Sequence, residues 1–131
     1  MVANDRPSAR ECARVRGLGS AREGTGHFWL IRLSAIALVP LAFFVIGWIV
    51  SLRGADYAQV KASLSFPPTA LVVGLFVLVS LYHMRLGMQL IIEDYAHNEL
   101  NKLALLILNT FFTILIGAAS VFALLQIAFG G

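Results

Sequence analysis

Charged side chains are scarce in this chain: Asp, Glu, Lys and Arg make up 13% of its 131 residues, against about 25% in ordinary globular domains. Cysteine is scarcer still. The single thiol, Cys12, cannot close an internal disulfide, and an iron–sulfur cluster needs about four such ligands. No Gly-rich phosphate fingerprint follows a strand-like run. Flavin or cluster chemistry therefore has to come from other chains. The basic excess is small, a net charge of +3, and it is one-ended: Arg6, Arg10, Arg14, Arg16, Arg22 and Arg32 are six of the ten cations. No basic stripe interleaved with aromatics runs along a polar surface, so the distribution argues for membrane orientation more than for nucleic acid, and no nucleic-acid partner is expected.

What the chain does have is apolar length. Its hydrophobic content is 59% and its mean hydropathy +0.82. A bilayer core of ~30 Å needs about 20 apolar residues in a helix, and three runs meet that: about 28–52, 69–92 and 103–129. The expected fold is an all-α membrane protein with three transmembrane helices. Residues 1–27 form a polar tail whose Arg and Gly residues lack apolar periodicity. The first apolar run starts too late and is too long for a secretory signal. Pro40 should kink the first span locally, while Phe28, Trp29 and Trp48 suit its two interfaces. Between the first two spans a loop ends in Pro67-Pro68, a pair that suits the first turn of a helix because its missing donors cost little there. Lys and Arg near the span ends set orientation. The tail cations fall on one side together with Lys102, and Arg53 and Lys61 on the other. The N-terminus is thus expected to be cytoplasmic and the C-terminus periplasmic.

The second span carries the chemistry. An ionisable residue inside a span costs ~2.5–3.5 kcal/mol on insertion scales and is a functional-site hypothesis by default. His83 is one such residue, roughly 15 Å below the cytoplasmic interface at 1.5 Å per residue. At 100° per residue Gly87 lies about 40° from it and Asp94 about 20°. His83 and Asp94 share a stripe, ~16 Å apart along the axis. Gly87 leaves room beside the imidazole for something flat, whereas Arg85 points about 160° away. A neutral buried imidazole is a good ligand for heme iron, and it is equally a residue that packs between helices through hydrogen bonds. His27 and His97 both lie near the cytoplasmic boundary, so a second axial histidine has to come from another subunit. At the end of the span, Tyr95 can donate to a quinone carbonyl and Asp94 can help supply protons. Both also fit as ordinary interfacial residues. Arg32 can snorkel to the interface or pair with a carboxylate such as a heme propionate.

The string YHMRLGMQLIIEDYAH, residues 82–97, resembles the signature of the small hydrophobic anchor subunit of succinate dehydrogenase (complex II). That family has a heme-ligating His, a Gly four residues on, and Asp-Tyr eleven and twelve residues after the His. Here these are His83, Gly87, Asp94 and Tyr95. GLGSAREGTGHFWLIRLSAIAL, residues 17–38, is similar to the family's approach to its first helix. The resemblance implies that His83 is one axial ligand of a heme b shared with the large cytochrome b anchor subunit. It implies further that Arg32 lies near the heme propionates, and that Tyr95, supported by Asp94, binds ubiquinone. The flavoprotein and iron–sulfur subunits would oxidise succinate and relay electrons to this membrane site. The Ser-Pro-His run of the large anchor is absent. The chain would not be an enzyme on its own.

Two other functions fit parts of the pattern: a heme-free structural anchor, and a small transporter subunit with His83 and Asp94 as a proton relay. The expected location is a bacterial inner membrane, with the mitochondrial inner membrane as the alternative.

Overall fold

A computed structural model describes residues 20–129, with side chains from Thr25 onward. Residues 1–19, most of the polar tail with its Cys12, lie outside that range, as do residues 130 and 131. The described residues are helical almost throughout: α1 Ser20–Ser51, α2 Tyr57–Ser65, α3 Pro67–Tyr95 and α4 Glu99–Phe129. No strand occurs among them. Three stretches are long and apolar enough to cross a membrane, namely Thr25–Ser51, Pro67–Tyr95 and Glu99–Phe129. The expected all-α architecture with three transmembrane helices is what the chain adopts.

The chain divides into two compact units, residues 1–30 and 31–131. In the first, the rings of Phe28 and Trp29 meet edge to face, centroids 6.3 Å apart, and both are exposed. The second unit holds the rest of α1 and the other three helices. Pro40 sits inside α1 without ending it. Gly54, at φ +82°, turns the chain after α1, a left-handed conformation that glycine adopts without steric cost. Asp56 then starts α2 with a capping box: its carboxylate accepts from Gln59 N at 2.8 Å, and Gln59 Oε1 accepts from Asp56 N at 3.1 Å. The segment expected as a plain loop thus carries a short helix. Trp48 Nε1 donates to Ser63 Oγ at 2.8 Å, tying the end of α1 to α2. Pro67 and Pro68 occupy the first turn of α3 as expected.

Antiparallel packing joins α3 to α4. A Cβ built on Gly74 would touch Leu124 at 3.4 Å, one on Gly117 would touch Leu81 at 3.7 Å, and Asn109 Nδ2 donates to the Arg85 carbonyl at 3.0 Å. Partner numbers on α4 fall as those on α3 rise. Lipid tails are as apolar as leucine, so helices in a membrane are drawn together by close packing and hydrogen bonds. The buried set follows that rule. Val45, Leu86 and Ile92 are its hydrophobic members, and Ser34, Thr69 and Gly117 the small or polar ones. Large apolar side chains such as Phe43, Leu108, Phe111 and Leu115 face outward, toward lipid or other chains.

Candidate functional site

His83 lies within α3, twelve residues before its last residue Tyr95, which puts it ~18 Å from that end. Its ring is half-buried, and Nδ1 is 2.9 Å from Ser34 Oγ on α1. Ser34 is only 7% exposed, and the same oxygen lies 2.9 Å from the Ile31 carbonyl one turn back. The other ring nitrogen is open. Among the described residues the only buried side-chain nitrogen without a partner is His27 Nε2, so His83 Nε2, which has no hydrogen bond of its own, reaches the molecular surface. One turn further on, Gly87 is half-buried, and a Cβ built there would meet nothing within 4 Å. An imidazole held at one nitrogen, with the other at the surface and open space beside Gly87, is chemically able to ligate a metal carried by a flat macrocycle.

The same level of the molecule is polar on all three long helices. Ser34 belongs to α1 and His83 and Arg85 to α3, while Asn109 on α4 reaches across to the Arg85 carbonyl. Thr113 Oγ1 donates to the Asn109 carbonyl at 2.8 Å. Arg85 lines a groove of about 620 Å³ between α3 and α4 together with Tyr82, Thr113 and Gly117. His83 instead meets α1. The two residues therefore serve different faces, as their separation of about 160° requires.

Asp94 and Tyr95 lie in the last turn of α3. Tyr95 is 79% exposed and Asp94 is exposed beside it. The backbone under them is held firmly: Ala96 N donates to Ile92 O at 3.0 Å, and His97 Nδ1 donates to the Tyr95 carbonyl at 2.9 Å. Neighbouring Glu93 accepts from Gln89 Nε2 at 2.8 Å, and its carbonyl accepts from Lys102 Nζ at 3.4 Å. The acid and the phenol thus project from a rigid helix end. Arg32 is exposed on α1, two residues from Ser34 and hence about 200° around the helix from the face that meets His83. It is at His83's depth but not in contact with its ring nitrogens.

The structure therefore joins His83 and Gly87 on one open face, keeps Asp94 and Tyr95 a helix segment away, and leaves Arg32 on another face of α1. Two residues were missed in the sequence as site components, Ser34 and Asn109. Their signal was present. Ser34 is the only hydroxyl between Thr25 and Ser51, and a small polar side chain inside a span bonds across to a neighbouring helix. Among the described residues no three His, Cys, Asp or Glu side chains gather to hold a metal ion. His83 could hold iron only as a single ligand to a metal bound mainly by something else.

The family model for the succinate dehydrogenase/fumarate reductase transmembrane subunit matches residues 6–118, a stretch that includes both signature strings and every residue named above except those at the end of α4. The chain belongs to that family. Within it, this transmembrane subunit is 35% identical over 116 residues to the succinate dehydrogenase hydrophobic membrane anchor subunit of Paracoccus denitrificans, covering 88% of this chain and 89% of that one. It is 31% identical over 105 residues to the protein of the same name from Rickettsia bellii, with 80% and 84% covered. The succinate dehydrogenase membrane anchor subunit of Reclinomonas americana is 25% identical over 85 residues, 63% of this chain and 71% of that one. No solved structure matches the chain significantly.

Proposed function

We propose that this chain is the small hydrophobic anchor of a succinate–ubiquinone oxidoreductase, co-ligating heme b through His83 and building part of the ubiquinone site. Similarity to the anchor subunits of Paracoccus and Rickettsia, over most of both lengths, supports the anchor role. The observation that carries the heme assignment is the ring of His83, tethered at Nδ1 and open at Nε2. A second ligand would come from the large cytochrome b subunit, since His97 lies beyond the end of α3 and His27 is about two helical turns along α1 from the Ser34 that meets His83. Once bound, the heme supplies a one-electron store within the membrane.

This chain's own residues do the rest. Gly87 leaves the face beside the ligand free of a side chain, so a macrocycle can approach the helix. Arg32, at the same depth though on another face of α1, would be the cation that pairs with a propionate, as the family resemblance implies. Tyr95 donates its phenolic proton in a hydrogen bond to a quinone carbonyl, which polarises the carbonyl for reduction. Asp94 beside it is placed to pass protons from the aqueous side to the reduced quinone. Succinate oxidation belongs to the flavoprotein and iron–sulfur subunits, which dock on the face bearing the α3–α4 turn. The chain lies in a bacterial inner membrane with that face cytoplasmic.

The rival with an observation in its favour is a heme-free structural anchor, because a bond to Ser34 already satisfies one nitrogen of a packing histidine. A proton relay from His83 to Asp94 has to bridge ~16 Å. A dithionite-reduced minus oxidised spectrum of the complex purified through this chain separates them. The expected result is a b-type band together with a flavoprotein and an iron–sulfur protein. The same partners without the band would leave only the structural anchor. Absence of both would defeat the whole proposal.

A further inference from the structure

Ser34 has one proton and two neighbours at 2.9 Å, the Ile31 carbonyl oxygen and His83 Nδ1. A carbonyl can only accept, so the serine proton is committed to Ile31. Toward His83 the hydroxyl oxygen is then an acceptor, and Nδ1 must carry a hydrogen for both contacts to be bonds. In a neutral imidazole that leaves the lone pair on Nε2, the nitrogen that reaches the surface. We propose that Ser34 is the positioning residue for the heme ligand: its hydroxyl fixes the tautomer of His83 and the plane of its ring.

The inference rests on His83 being an axial ligand, and it adds what holds that ligand. Metal-bound histidines almost always donate their second N–H, and the acceptor sets both orientation and basicity. Here the acceptor is a neutral hydroxyl that is itself anchored to backbone. It aligns the ring firmly, but polarises it less than a carboxylate would. Burial makes the arrangement strict. Ser34 is 7% exposed, so water does not readily take its place, and without the hydroxyl the Nδ1 hydrogen loses the acceptor it has on α1. The bond also joins residues 49 apart in sequence, so the ligand's orientation depends on how α1 sits against α3.

The test compares Ser34→Ala, Ser34→Thr and His83→Ala in the intact, purified complex. Its readouts are heme content, the low-spin ferric EPR signal and the heme midpoint potential. Ser34→Ala should keep the partners assembled while moving the highest g-value and raising the potential, because an unassisted imidazole donates less charge to ferric iron. At a fixed poise the ratio of oxidised to reduced heme should fall, by less than the about threefold to tenfold that a whole hydrogen bond is worth, since only the difference in its strength between ferric and ferrous heme enters. Ser34→Thr keeps the hydroxyl and should restore both signals. If Ser34→Ala loses heme entirely, recovery in Ser34→Thr still supports positioning, and no recovery assigns Ser34 to packing and overturns the proposal. An unchanged EPR signal and potential in Ser34→Ala overturn it as well. Full low-spin heme in His83→Ala fails at the earlier step, by removing His83 as a ligand whatever Ser34 does.

Discussion

Tyr95 and Asp94 are adjacent in sequence, yet they would act through different atoms, and a single oxygen separates the two contributions. Tyr95→Phe removes the phenolic donor and keeps the ring. Because Tyr95 is 79% exposed, the folded chain loses little. We expect quinone reduction to fall by roughly tenfold, the worth of a donor lost from a partly desolvated site, while succinate oxidation with an artificial acceptor persists. Unchanged quinone kinetics would remove Tyr95 from the site. At this scale the sequence was informative where the residue type is costly in lipid. A histidine and a glycine four residues apart point to one face of a helix, and the structure leaves that face open. For Ser34 it offered only a hint, the lone hydroxyl between Thr25 and Ser51; the contact with His83, 49 residues away, is encoded in no local pattern. Arg32 shows the opposite limit: a charge at the right depth was legible, but its direction around α1 relative to His83 needed the tertiary contact.

Between residues and the whole stand the helices, where hydropathy located all three spans but not their ends. α1 starts at Ser20, eight residues before the apolar run, and α3 runs on through Glu93, Asp94 and Tyr95. Hydropathy reports what lipid tolerates, whereas a helix continues into water as long as its backbone bonds are satisfied. Only Ala96, His97 and Asn98 separate α3 from α4, and Asn98 Oδ1 accepts from Leu100 N at 3.0 Å to start the new helix. The α3–α4 pairing is fastened in its middle by Asn109. Such bonds in membranes average only about 0.6 kcal/mol, so Asn109→Ala should loosen the pair without unfolding it. Amide exchange in the complex, followed in peptides spanning 82–89 and 105–113, should speed up by about threefold, the factor that corresponds to such an energy. No change there would mean that packing at Gly74 and Gly117 holds the pair unaided.

Across the described residues, more large apolar side chains are exposed than buried, as expected of one part of a membrane complex. That surface gives no sense of up or down; the distribution of cations does. With Cys12→Ser as background, Arg53→Cys and Glu99→Cys place single thiols on exposed positions, one in the connection between α1 and α3 and the other at the start of α4. In intact cells a membrane-impermeant maleimide should label the first and spare the second. The reverse pattern would invert the orientation and move Asp94 and Tyr95 to the far side of the membrane from the dehydrogenase.

The three-residue turn between α3 and α4 also bears on how the protein is made. Chain closure costs grow with the length of the intervening segment, and with only Ala96–Asn98 between them α3 and α4 are neighbours as soon as both are in the bilayer. The Ser34–His83 bond has no such advantage, for it waits until α1 docks from across α2. A newly inserted chain with α1 still apart carries His83 on a finished hairpin, its imidazole free to turn. Loop length alone therefore favours the hairpin forming first, with α1 docking second and the imidazole of His83 fixed by Ser34 only then.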